Sequence, residues 1–340
     1  MKILWVINGY PPILNAGSEM YAHNLNKHLL SKGHEVKILL PQSYSNYENK
    51  SMNYEGVELY IIRQSSDDDN LILWSDIIIT HQGYSNLIIS YVGNLKPIIW
   101  ICHNTFFDQY KSINNNKNVS IIYNSYALQQ LANQYFNNRS FVMQPPILLN
   151  KPFTSNKPTP IRNEYITLIN LSKNKGGEIL KQLAEDMPNR KFMGVLGGYE
   201  EQIEQHKNVK IVPHTNNIQE IYDQTRLILM PSAYESWGMV ASEAIINGIP
   251  VIANRTFGLE ENLGEAGIYC SLDNLDEWKY AITNCDDPYI YQAQSDKCLK
   301  RAEEQKINNN NEIQNCMFFF DIIYQQSLYE NANNNIRTIP

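Results

Sequence analysis

The stretch Leu227-Ile-Leu-Met230-Pro231-Ser-Ala-Tyr-Glu235-Ser-Trp-Gly-Met-Val-Ala-Ser-Glu243-Ala-Ile-Ile-Asn-Gly248-Ile-Pro250-Val-Ile-Ala253 decides how this chain is read. An apolar strand, Leu227–Met230, runs into a loop opened by Pro231 and then into a helix that Gly248 stops. A second apolar strand follows at once, from Pro250 to Ala253, a succession that belongs to a parallel α/β sheet. Ser236 to Gly238 stand at the helix start, where unpaired backbone N–H groups and the helix dipole favour an anion such as phosphate. Glu235 lies just outside that helix and Glu243 roughly a turn inside it. Two carboxylates so placed can each accept hydrogen bonds from vicinal hydroxyls while the helix start holds phosphate between them. A sugar nucleotide is laid out in that way: diol, diphosphate, diol. A surface helix with an acidic first turn has the same spacing, and spacing alone favours that plainer reading.

The pattern extends in both directions. Ile3–Ile7 is a short apolar run fit for a buried parallel strand. Gly9 to Gly17, with two Gly and two Pro, forms a loop, and Ser18 is placed to cap a helix carrying Tyr21, Leu25, Leu29 and Leu30 at helical spacing. Gly33 ends the helix and Val36–Leu40 is a second strand, completing a βαβ unit. Strand candidates follow at Leu59–Ile62, Ile77–Thr80, Ile98–Cys102 and Ser120–Tyr123. Gln144 to Pro160 then holds five of the fifteen prolines and reads as a linker. A second α/β pattern starts at Ile166–Leu171 and continues through Phe192–Leu196 and Val209–Val212 to the opening stretch. Glu312 to Tyr329 reads as a final helix with Met317, Phe320 and Tyr324 on one side, and the asparagines Asn308 to Asn311 before it as a loop. Asp67-Asp68-Asp69 reads as the acidic start of a helix beginning near Leu71.

Composition narrows the function classes. A chain of 340 residues, 43% hydrophobic and 19% charged, suits two domains and excludes wholesale disorder. The net charge of −7 argues against nucleic acid as a partner and against an electrostatic grip on anionic lipid as the main activity. Five scattered cysteines without a CxxC pair signal neither a disulfide framework nor a zinc site. No apolar run approaches the ~20 residues that span a bilayer, and the N-terminal apolar stretch is too short for a signal peptide. A cytoplasmic protein without a transmembrane segment is expected, with peripheral membrane contact left open. Neither G-x-G-x-x-G after the first strand nor G-x-x-x-x-G-K-[ST] occurs, which removes support for hydride-transfer and P-loop chemistry.

Glu235 through Glu243, with the following Glu-Ala-x-x-x-Gly-x-Pro-Val, resembles the E-x7-E signature of family 4 glycosyltransferases, retaining enzymes of the GT-B fold. Further segments resemble the family in its order. They are Tyr10-Pro-Pro-x-x-x-Ala-Gly17-Ser-Glu19, Gly33-His34-Glu35-Val36, Ile99-Trp-Ile-Cys-His103-Asn104, Lys175-Gly176-Gly177 and Gly258-Leu-Glu-Glu261-Asn-Leu-Gly264. The likeness covers nearly the whole chain. It implies two Rossmann-like, doubly wound domains facing across a cleft: an acceptor domain over residues 1–150, a donor domain over 151–311, and a helix 312–330 packing back on the first.

The resemblance also implies residue roles. Gly17 would let backbone approach the donor phosphate. Glu243 would accept from the ribose hydroxyls and Glu235 would bind hydroxyls of the transferred sugar. Ser236 belongs to the same helix start, and the amides of Trp237, Gly238 and Met239 would add contacts to sugar and phosphate. Lys175 would neutralise the departing diphosphate, and His103 would lie against the donor sugar near the reacting carbon. His103, Glu235 and Lys175 are thus the expected catalytic residues. Apart from the resemblance, His214 and Thr215 follow a predicted strand and are expected near the base. The family usually has an Arg five or six residues before the lysine; here Ile169-Asn170-Leu171-Ser172-Lys173-Asn174 has none, and Lys173 is the partial substitute.

The expected reaction is transfer of a sugar from a UDP- or GDP-sugar to a hydroxyl of a glycan or other acceptor, with retention. No cofactor and no catalytic metal are expected, since the histidines show no metal-ligand spacing. Acceptor contacts are expected at Tyr44–Tyr54 and Thr105–Asn118. Two readings compete: a nucleotide-sugar epimerase or phosphorylase of the same fold, and a non-catalytic carbohydrate-binding protein that kept it, whose support is the missing Arg.

Overall fold

Long apolar, β-branched runs dictate the first sheet. The computed structural model describes residues 1–41, 51–62, 66–114, 116–146, 164–198 and 200–337. The chain divides into two units, Met1–Pro146 with Asn309–Pro340, and Ile147–Asn308.

The first unit is built on eight strands: β1 (Lys2–Val6), β2 (Glu35–Leu40), β3 (Ser51–Tyr54), β4 (Val57–Ile61), β5 (Ile77–His81), β6 (Ile98–Cys102), β7 (Val119–Tyr123) and β8 (Ser140–Val142). Their order is β3-β4-β2-β1-β5-β6-β7-β8. Every pairing is parallel except that of β3 with β4. β5, β6 and β7 are buried along their whole length, as parallel strands covered on both faces must be. The β3–β4 hairpin turns on Glu55 and Gly56, both at positive φ (49° and 91°), the conformation a two-residue turn requires. Residues 51–54 of the expected acceptor loop are therefore strand; residues 44–50 lie outside the described residues.

Four helices connect these strands: α1 (Gly17–Ser31), α2 (Ser66–Trp74), α3 (Ser85–Val92) and α4 (Tyr126–Ala132). Ser18 does not cap α1. The N-cap position is Ala16, without a side-chain cap, and the Ser18 hydroxyl donates to the Glu19 carboxylate at 2.9 Å. Asp67, Asp68 and Asp69 fill the first turn of α2, where the helix dipole favours them, although α2 starts five residues before Leu71.

The second unit has six parallel strands: β9 (Tyr165–Ile169), β10 (Phe192–Val195), β11 (Val209–Val212), β12 (Thr225–Met230), β13 (Val251–Asn254) and β14 (Gly267–Cys270). Their order is β11-β10-β9-β12-β13-β14. The crossovers carry α5 (Gly177–Asp186), α6 (Gln219–Tyr222), α7 (Met239–Ile246) and α8 (Phe257–Leu263), and α9 (Leu275–Asn284) follows β14. With all strands parallel, the loops after β9, β10, β11 and β12 collect at one edge, where open α/β sheets bind ligands.

The last helix, α10 (Pro288–Arg337), has 50 residues and begins well before the expected Glu312. Asn308 to Asn311 lie inside it, not in a loop. Asparagine is only a weak helix breaker, costing a few tenths of a kcal/mol against Ala, and tertiary contacts hold the run in place. The Asn309 amide donates to the Gln144 carbonyl at 3.5 Å, and the Gln144 N–H donates to the Glu312 carboxylate at 2.7 Å. Beyond this point Ile313, Cys316, Phe319, Phe320 and Ile323 recur every three or four residues and join Ile3, Trp5, Leu25 and Ile38 in the core of the first unit. The proline-rich segment falls on residues 147–163, outside the described residues, apart from Gln144, Pro145 and Pro146. Among the described residues no helix is long and apolar enough to cross a membrane.

Candidate functional site

In the second unit, the loop from Pro231 to Gly238 joins β12 to α7. Gly238, at φ 87°, occupies the N-cap position, and no side chain caps the helix, so its first amides remain for an external anion. Met239 opens the helix and Glu243 is its fifth residue. The Trp237 ring is buried with its N–H on the Ser242 hydroxyl at 3.1 Å, leaving its backbone at the helix start. Ser236 is also buried.

Two neighbouring segments fix this loop. Asn262 of α8 donates to the carbonyls of Trp237 (3.0 Å) and Gly238 (3.1 Å) and to the Ser242 hydroxyl (2.9 Å). The Gly258 N–H donates to the Glu235 carbonyl at 3.2 Å, and a Cβ at Gly258 would come within 2.3 Å of the Ser236 carbonyl carbon. On the other side, the loop after β9 makes a short helical turn, Lys173–Lys175, followed by Gly176 at φ 89°. A Cβ on Gly176 would fall 2.3 Å from Pro231, and the Ala233 N–H donates to the Asn174 carbonyl at 2.9 Å. That close approach brings Lys175 to Glu235, with Nζ and Oε1 2.6 Å apart. The Ser232 hydroxyl donates to the same oxygen at 3.0 Å.

Glu243 faces a different partner. The Tyr222 hydroxyl, at the end of α6, donates to its Oε2 at 2.6 Å. Burial pushes the Glu243 carboxyl up to about 7, against the partial relief of that hydrogen bond. Lys173 is exposed on the helical turn. Asn170, at φ 70°, stands where the family's Arg was sought, and its side chain serves the backbone: Oδ1 accepts from Ser172 N–H at 3.0 Å and from the Gln202 amide at 3.1 Å. Gln202 in turn accepts from Leu171 and Gly197 N–H groups, both at 2.8 Å. His214 and Thr215 follow β11, the edge strand, three positions from β12. The Thr215 hydroxyl accepts from Asn217 N–H at 3.0 Å. The structure thus joins Lys175 to Glu235 and places His214 and Thr215 along the same sheet edge, after a strand three positions from β12.

The first unit holds the other two expected residues. Gly17 is exposed at the start of α1, and His103 follows β6 directly. The His103 ring packs edge-on against Tyr21 and His81, each with ring centroids 5.1 Å away, and its Nε2 meets His81 Nδ1 at 3.0 Å. Desolvation pulls His103 down to about 3, so the ring is neutral throughout the physiological range. Glu19 is buried and burial raises its carboxyl.

Four residues of these clusters escape a reading of motifs: Tyr222, Asn262, Gln202 and His81. Asn262 lies within the Gly258–Gly264 segment, but attention there falls on Glu261. Tyr222 stands 21 residues before its partner and Gln202 32 after Asn170, too far apart for any local spacing to pair them.

Residues 154–283 match the family of glycosyl transferases group 1. The matched residues fall within the second unit. An uncharacterized glycosyltransferase of Haemophilus influenzae is 26% identical over 188 residues, which make up 50% of this chain. The match covers about half, 52%, of that relative's length. Sucrose-phosphate synthase from Thermosynechococcus elongatus has a similar structure over 96% of this chain and 100% of its own, with a TM-score of 0.78 at 14% identity. Anabaena HepE, solved in complex with UDP-glucose, matches over 93% of this chain and 99% of its own, with a TM-score of 0.72 at 18% identity. The chain therefore has the GT-B fold, and the residues that match the family model form its six-stranded half.

Proposed function

We propose that the protein is a retaining, metal-independent glycosyltransferase of the cytoplasm that moves a sugar from a nucleoside-diphosphate donor to a hydroxyl acceptor. The observation that carries this reading is the start of α7: two carboxylates stand on either side of an uncapped helix N-terminus, one paired with a lysine. Glu243 accepts from the ribose diol. The amides of Ser236 to Met239 bind phosphate or sugar oxygens. Glu235 accepts from hydroxyls of the transferred sugar, and Lys175, already beside it, neutralises the diphosphate as charge develops on it. The exposed Lys173 adds positive charge on the same turn, and Gly17 leaves the start of α1 open to the donor phosphate. His214 and Thr215 lie toward the base. His103 lies against the sugar. The acceptor oxygen attacks on the side from which the phosphate departs, and the phosphate takes its proton.

HepE is described with UDP and UDP-glucose, so uridine nucleotides are the first ligands to try. Calorimetry with UDP, GDP and their sugar conjugates, without metal, tests the reading on wild type and Glu243→Ala. One nucleotide should bind at about micromolar strength and weaken by roughly 1–3 kcal/mol in the variant. The anomeric configuration of a transferred product, read by NMR, tests retention. Absence of binding to every nucleotide would abandon the transferase for a carbohydrate-binding protein of the same fold.

A further inference from the structure

The histidine pair of the first unit contains a proton arrangement that the proposed transfer does not itself require. His81, the last residue of β5, is fully enclosed. Its Nδ1 meets His103 Nε2 at 3.0 Å, and its Nε2 is buried without a hydrogen-bond partner. Between two neutral imidazoles at this distance, one ring nitrogen donates and the other accepts. If His81 accepted at Nδ1, its proton would sit on Nε2, an N–H donor buried without an acceptor. The adjacent Trp5 ring, edge-on with centroids 6.3 Å apart, offers no acceptor atom, because its one heteroatom is an N–H that is itself buried without a partner. If His81 donates from Nδ1 instead, Nε2 keeps only a lone pair. An unfilled acceptor is the better tolerated of the two orphans.

We propose that His81 is a positioning residue for His103: by donating from its Nδ1 to Nε2 of His103, it fixes that ring as the tautomer protonated at Nδ1. Nε2 of His103 is thereby occupied, and the ring cannot serve there as the base that takes the acceptor's proton. Its part is to orient, as a neutral ring whose edge is held between His81 and Tyr21. The bearing on transfer rests on His103 facing the donor sugar, as proposed above.

The tautomer is read without any activity, from long-range 1H–15N correlations of the histidine rings. Wild type should show both His81 and His103 protonated at Nδ1. A wild-type His103 protonated at Nε2 overturns the proposal. His81→Asn keeps an N–H group at the position of Nδ1 and should retain the His103 tautomer and a kcat close to wild type. His81→Leu fills the space without the donor; it should leave His103 a mixture of tautomers and lower kcat about tenfold with little change in the donor KM. Equal effects of the two substitutions on tautomer and kcat would make His81 a packing residue and overturn the proposal. A protein that transfers no sugar at all would sink the transferase reading, while the spectra would still decide the tautomer.

Discussion

Nζ of Lys175 lies 2.6 Å from Oε1 of Glu235, across 60 residues of sequence. The pair is only partly exposed, with side-chain accessibilities of 33% and 12%, so its charges are less screened than those of a surface pair. Without ligand, each group keeps the other's charge compensated. With donor bound, Lys175 has a second anion within reach and Glu235 can turn to sugar hydroxyls. Lys175→Ala is therefore expected to lower transfer by about 10²–10³-fold, with an unchanged far-UV spectrum. Steady-state kinetics check this, and a loss smaller than about tenfold would remove Lys175 from the charge-stabilising role.

Glu243 should make donor binding depend on pH near neutrality. Its carboxyl is raised from 4.5 to about 7 by burial, and the diol needs the ionised form as acceptor. Affinity for the preferred nucleotide should fall about tenfold from roughly pH 8 to pH 6, and Glu243→Gln should flatten the profile. The stability of the free protein moves the opposite way. The folded state binds a proton that the unfolded state releases between 4.5 and about 7, so this group's contribution is present at low pH and lost as pH rises through about 7. Calorimetric titrations at several pH values, beside denaturant melts, separate the two effects.

Gly258→Ala should damage both stability and the site. The new Cβ would lie 2.3 Å from the Ser236 carbonyl carbon and 2.4 Å from the Glu235 carbonyl oxygen, backbone atoms that no rotamer change can move. A cost of about 1–3 kcal/mol is expected, together with weaker nucleotide binding because the loop bearing Glu235 must shift. Denaturant unfolding and calorimetry on one preparation check both. Unchanged binding would show that the Glu235 loop is not held by this contact.

Phe320→Ala should cost about 3–5 kcal/mol of the first unit's stability. Phe320 is fully buried in the core that α10 completes, whereas Phe318, two residues earlier on the same helix, is 67% exposed. Phe318→Ala should therefore be nearly silent. Thermal melts of the two variants check the contrast, and similar shifts would mean the packing of α10 is not what secures that core.

Strands with long apolar runs were legible because their burial on both faces leaves nothing else for the residues to do. Ile98–Cys102 is read from sequence with the bounds the structure gives; Val209–Val212 is too, although it is an edge strand with Lys210 and Ile211 exposed. The short strands β3, β8 and β14 were not, since Ser51–Tyr54, Ser140–Val142 and Gly267–Cys270 lack such runs and form by pairing onto a neighbour. The length of α10 was hidden for the reverse reason. Its asparagines carry a weak local preference against helix that Gln144 and Glu312 override through contacts some 165 residues distant in sequence. At the site, Glu235, Glu243 and Lys175 could be picked from spacing and likeness. Tyr222, which holds Glu243, Asn262, which holds the Trp237–Gly238 backbone, and His81, which meets His103, could not, because a hydrogen bond between distant segments leaves no periodic trace.

The return of α10 has a consequence for synthesis. The residues that line the core of the first unit emerge early, yet Ile313, Phe319, Phe320 and Ile323 are made only after the whole of the second unit. Domains of a growing chain generally fold in the order they appear. Here the half that is translated first must wait, with an apolar face of its sheet uncovered, until the other half is complete. The nascent chain is thus exposed to aggregation for the entire time that some 160 intervening residues take to be added. A fragment cut at Pro146 would keep that open face permanently.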